Sequence, residues 1–184
     1  MTMLGYFDVF PDKMLTEVRT ASFPDAAADD PLHGATFIFT EYFCTDLKCD
    51  CQRVLVRVLR AESEDARPEE VASINYSWKP KGDGLWAKLN LGLPNPFLDP
   101  LHRQVSYATE LLDFWRSMIG YDKAYASRIR RHYDEIRAEI GQTAEHRGQR
   151  PSTGRAARKS SGRLLSKRSR KLRRQRLARA RQRK

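Results

Sequence analysis

Hydrophobic and polar positions along the chain change period part-way through. From 35 to 93 the alternation has a period of two, the mark of strands with one buried face. Residues 36–43 (TFIFTEYF) are dense in β-branched and aromatic side chains. In 53–59 (RVLVRVL), Val54, Val56 and Val58 share one face, and Arg53, Leu55, Arg57 and Leu59 the other. Residues 71–79 alternate Ala72, Ile74, Tyr76 and Trp78 against Val71, Ser73, Asn75 and Ser77. Residues 85–91 alternate Leu85, Ala87, Leu89 and Leu91 against Trp86, Lys88 and Asn90. Pro80-Lys81-Gly82-Asp83-Gly84 reads as a turn, and the acidic stretch 62–70 as a solvated loop. Four sequential strands with short connections predict an antiparallel meander.

Residues 94–141 shift to helical period. Asp99-Pro100 reads as a helix start, with Asp as N-cap and Pro in the first turn. Leu101, Val105, Ala108, Leu111, Leu112, Trp115, Met118 and Ile119 follow at helical spacing, and Gly120 is the expected end. Asp122 can cap a second helix with the stripe Tyr125, Ile129, Tyr133, Ile136 and Ile140, closed by Gly141. Two amphipathic helices after a four-stranded sheet predict an α+β domain over 35–141, helices on one sheet face. Trp115 and the other periodic aromatics are expected in the core, Trp78 and Trp86 less deeply because they flank a turn. Residues 1–34 carry mixed signals: Met14, Leu15 and Val18 fit a helical turn or a short strand, and 26–31 a loop, so this segment stays unassigned.

Charge divides the chain differently. The whole 184 residues carry +11. Residues 1–145 hold 17 Lys/Arg against all 23 Asp/Glu, a net of −6, and 146–184 hold 17 Lys/Arg and no acid, a net of +17. Such asymmetry points to a polyanionic partner for the tail. No apolar run reaches the ~18–20 residues of a membrane helix. The first ten residues carry Asp8 and lack a positive n-region, so a cytoplasmic location with reduced thiols is expected.

All the cysteines fall in one short stretch, FCTDLKCDCQR, as Cys44, Cys49 and Cys51. The spacing Cys-x4-Cys-x-Cys lies between the first two predicted strands and sets the sulfurs at a hairpin tip. Converging thiolates suit a soft or borderline metal, and zinc is the common structural choice. Structural zinc usually takes four ligands. His33, His102 and His132 are candidates for the fourth, and His102, at the expected helix start, is favoured. Asp46 and Asp50 are alternative oxygen ligands. The spacing departs from Cys-x2-Cys ribbons and from plant-type ferredoxins, which disfavours an iron–sulfur cluster. Plain reduced thiols, or a reversible disulfide between two of them, are the competing readings.

The stretches YFCTDLKCDCQRVLVRVL and LPNPFLDPLHRQVSYATELLDFWRSMI resemble uncharacterised bacterial proteins with a cysteine-rich strand pair, over about residues 35–140. Some of that group end in a small zinc-binding SEC-C module. This chain has no cysteine after Cys51, so the module is absent and the basic tail stands in its place.

No nucleophile-elbow, P-loop, zincin or dinucleotide-binding pattern occurs. A Cys–His pair of one cysteine with His102 is conceivable, but a thiol crowded by two others reads more readily as a ligand. Arg128, Arg130, Arg131 and His132 read as a solvated helix face before a phosphate site. Glu41, Glu62, Glu64 and Asp65 form no recognisable acid/base pair. The chain is therefore read as non-enzymatic.

Residues 142–184 open with a Ser/Gly/Arg linker and continue as a basic run. From Arg163 on, leucines are scattered among Lys167, Arg168, Arg170, Lys171, Arg173, Arg174, Arg176, Arg179, Arg181, Arg183 and Lys184. Few leucines and much like charge predict disorder when free and folding on an anion. Nucleic acid is the expected partner, bound through phosphates without sequence preference and with steep salt dependence. The tail has no aromatic residue to stack on bases. An acidic protein or anionic surface is the competing partner. The overall expectation is a small zinc-stabilised domain with a nucleic-acid-binding tail. The alternative is an interaction module or small enzyme in which the tail is incidental.

Overall fold

A computed structural model describes residues 2–49, 51–63, 66–79 and 94–148, with backbone only from 144 on. The chain divides into two units, Met1–Thr143 and Ala144–Lys184. The predicted strand 85–91, the turn 80–84, Trp86 and the tail from 149 lie outside the described residues.

The first unit opens with strand β1 (Met3–Gly5), helix α1 (Tyr6–Val9), a 3-10 turn (Pro11–Lys13), helix α2 (Met14–Glu17) and strand β2 (Arg19–Ser22). Three long strands follow: β3 (Thr36–Cys44), β4 (Arg53–Ala61) and β5 (Glu69–Ser77). A two-residue strand β6 (Phe97–Leu98) precedes helices α3 (Ala108–Tyr121) and α4 (Lys123–Gly148).

The meander predicted from the period-two pattern is present as β3-β4-β5, antiparallel throughout, with Phe39 opposite Val58 and Val56 opposite Ile74. The sheet is larger than the predicted four strands. Six described strands run β1-β3-β4-β5-β6, with β2 also on β3. β1 covers the Tyr42–Cys44 end of β3, and β2 covers its Thr36–Phe39 end. The extra strands are two to four residues long. At that length they carry no readable alternation, and backbone hydrogen bonds to β3 and β5 define them.

One face of the sheet makes the core. Phe37, Phe39 and Phe43, the valines 54, 56 and 58, and Ala72 and Ile74 are buried in one cluster with Leu111, Trp115, Ile119, Tyr125, Ile129, Tyr133 and Ile136 of the helices. Ring contacts tie the layers: Phe43 to Tyr133 at 6.2 Å, and Tyr76 to Trp115 at 5.4 Å. Both helical stripes are thus the core-facing ones. Trp115 is fully buried, whereas Trp78 is half-buried against Tyr133.

Three boundaries differ from expectation. Helix α3 begins at Ala108, not at Asp99, and Leu101 is 90% exposed. Asp99 caps only a local turn, accepting from the Leu101 N–H at 2.7 Å. Gln104 ties the following residues to β5, accepting from the Ser73 N–H at 3.0 Å and donating to the Asp99 carbonyl at 2.8 Å. α3 runs one residue past Gly120. α4 continues through Gly141, because a glycine ends a helix only where it turns to positive φ, and Gly141 does not. Asp122 does cap α4, accepting from the Tyr125 N–H at 2.9 Å.

Candidate metal centre

Cys44 is the last residue of β3, and Cys51 lies two residues before β4. The connection between them is short and fixed at both arms. On one side Met3 pairs with Cys44, and the Thr45 N–H donates to the Thr2 carbonyl at 3.2 Å. On the other, the Ser77 hydroxyl and the Trp78 N–H donate to the Gln52 carbonyl at 3.1 and 3.2 Å. Within the loop, the Asp46 carboxylate accepts from the Lys48 N–H at 2.9 Å and the Asp46 carbonyl from the Cys49 N–H at 3.0 Å. Gln52 has φ of 41°, the left-handed region that side chains other than glycine seldom adopt. That turn directs the chain into β4 directly after the buried Cys51.

The three sulfurs lie within 4.8 Å of one another. Cys44 and Cys51 are buried and Cys49 is half-buried, and none is in a disulfide. Burial, a hydrogen bond with Cys49 and the proximity of the other two sulfurs push the Cys51 thiol up to about 12, against a partial pull downward from Arg53. Three thiolates gathered without a cation repel one another. A divalent ion reverses that balance by binding the deprotonated form.

Helix α4 holds the loop in place. The Arg137 guanidinium donates to the carbonyls of Asp46 at 3.2 Å, Cys49 at 3.1 Å and Leu47 at 2.5 Å. It also lies over the Tyr133 ring at 5.3 Å. The donor set of the cluster fits zinc or another thiophilic ion, with three sulfur ligands and an outer shell that orients the loop.

The structure gives the histidines other partners. His102 Nδ1 lies 3.1 Å from Asp99, within a polar chain that runs from Arg53 through Asn75 to Asp99. Burial opposes charge on Asp99, but the Leu101 N–H, His102 and Asn75 hold its carboxyl below the usual range. His33 Nδ1 lies 2.8 Å from the Ala26 carbonyl. Among the described residues, the group with the three sulfurs contains no histidine. Asp46 keeps its carboxylate on its own turn, and Asp50 lies outside the described residues, as do the basic positions from Arg163 to Lys184.

One cluster escaped the sequence reading. His132 is fully buried between Glu41 of β3 and Glu17 of α2, with Nδ1 and Nε2 each 2.6 Å from a carboxylate oxygen. Two signals pointed there. Glu41 occupies the same face of β3 as Phe37, Phe39 and Phe43, and His132 sits three residues after Ile129 on the apolar stripe of α4.

No protein-family model, curated protein or solved structure matches the chain. The functional reading rests on the residues themselves. No described helix is long and apolar enough to cross a membrane.

Proposed function

We propose that this chain is a non-enzymatic, zinc-stapled α+β domain whose basic C-terminal segment binds nucleic acid without sequence preference. The observation that carries the first half is the convergence of Cys44, Cys49 and Cys51 at one hairpin end, within 4.8 Å. A zinc ion there would tie the end of β3 to the start of β4 and, through Arg137, the loop to α4. The second half rests on charge. The last 39 residues carry 17 Lys/Arg and no acid, while the body is net negative, so phosphate contact falls to the tail.

Two measurements test the halves separately. Protein purified without chelator should carry about one zinc per chain by elemental analysis. Zinc-free protein that folds with unchanged stability would reject the staple. Full-length protein should bind RNA and duplex DNA with affinity that falls steeply with salt, and residues 1–145 should not. Equal binding by the truncated chain would favour the alternative, an interaction module or small enzyme in which the tail is incidental.

A further inference from the structure

The Glu17–His132–Glu41 contact cannot be made with the usual neutral-pH protons on all three groups. A neutral imidazole has one N–H and one bare nitrogen. Both ring nitrogens lie 2.6 Å from a carboxylate oxygen. At that distance each contact needs a hydrogen between its heavy atoms, because two lone pairs facing each other repel. Two ionised carboxylates and a neutral imidazole supply only one hydrogen. A second is required.

The surroundings favour placing it on the ring. His132 stacks on Tyr6, with centroids 3.6 Å apart and planes 8° from parallel, and an aromatic face attracts a cation. Glu41 is 1% exposed, and a buried carboxylate needs a positive partner. Among the described residues, the imidazolium at 2.6 Å supplies one. Other charged groups also face this site. Arg131 of α4 pairs with Glu17, while Lys13 of the 3-10 turn pairs with Glu135 of α4 at 2.9 Å, and the Tyr6 hydroxyl donates to Glu135. Arg19 of β2 and Arg128 of α4 lie over the Tyr125 ring at 5.2 and 5.0 Å, and their charges and that of Glu41 act in opposite directions on the buried Tyr125 hydroxyl.

We infer that Glu17, His132 and Glu41 form a buried proton-binding site: the fold captures one extra proton there, held as a His132 imidazolium between two ionised carboxylates. The captured proton fastens α2 to α4 and β3. Its loss turns the bare Nε2 against the Glu17 carboxylate, the more exposed of the two acids, and opens that contact first. The site shares no residue with the cysteine cluster and does not depend on metal.

The test uses full-length protein labelled with 15N at histidine. Long-range nitrogen–proton spectra at about pH 7 distinguish imidazolium from either neutral tautomer. In the wild type both His132 nitrogens should show the protonated signature. Glu17→Gln removes the need for the second proton, because the glutamine amide donates to a bare Nε2. In that variant one His132 nitrogen should lose its proton while the remaining amide spectrum stays native. A neutral-tautomer signature for His132 in the wild type would overturn the proposal. So would an imidazolium signature that persists unchanged in a folded Glu17→Gln protein. If that variant does not fold, the wild-type spectrum decides alone.

Discussion

The Arg137 guanidinium lies 3.1 Å from the carbonyl oxygen of Cys49, so a helix far along the chain holds the backbone of the candidate metal loop. Groups that orient ligands from outside typically change metal affinity about 10–100-fold when removed. Arg137→Met, which keeps an unbranched aliphatic side chain but no donor to the loop carbonyls, should weaken zinc binding by that factor in a chelator competition assay. Unchanged affinity would show that the loop keeps its shape without the helix.

Zinc should stabilise the wild type and not Cys51→Ser. At free zinc about 100 times the dissociation constant, linkage predicts about 2.7 kcal/mol. The effect should grow with pH. Because Cys51 is pushed up to about 12, binding displaces a proton, and affinity falls as pH is lowered. Thermal melts with and without zinc at several pH values measure both statements. A pH-independent zinc effect would mean that Cys51 is not a ligand.

His102→Ala should leave zinc content unchanged, because its ring is engaged by Asp99 at 3.1 Å. Elemental analysis of the purified variant checks this, and halved content would place His102 in the coordination shell.

Glu70 links acid stability to the sheet. Burial opposes its charge, but Arg57 and the Ser73 hydroxyl, donating at 2.8 Å, hold its carboxyl below the ordinary 4.5. A carboxyl lowered in the folded state stabilises above its unfolded value and loses that contribution as pH falls through the folded one. Wild type should therefore lose stability below about pH 4.5 more steeply than Glu70→Gln. Parallel urea midpoints for the two proteins across that range would contradict the assignment.

Trp115 has no exposed surface, and its indole N–H donates to the Tyr125 hydroxyl at 3.4 Å. Trp115→Ala should cost about 3–5 kcal/mol in urea unfolding. A loss under about 1 kcal/mol would mean that the core closes over the gap.

The readable parts of this chain are those in which one segment carries its own repeat. Val54, Val56 and Val58 declare a buried face without reference to any neighbour, and so does the stripe from Tyr125 to Ile136 on α4. The cysteine loop was legible because two strand patterns flank it. The helix start was misread at Asp99, since the same Asx geometry caps a helix or an isolated turn. Here the choice goes to the turn through Gln104, just after it, and through Asn75 and Ser73 on a strand more than twenty residues earlier.

Local periodicity, then, was enough for the central meander, the two core-facing helical stripes and the place where the sulfurs gather. Tertiary structure alone decided that Met3–Gly5 and Arg19–Ser22 are strands, because so short a segment is defined by the backbone groups it meets on β3. It also decided the partners of the histidines. A glutamate at position 41 and a histidine at 132 look like ordinary polar residues until folding removes water from both. In that buried site each becomes the other's hydrogen-bond partner, at 2.6 Å.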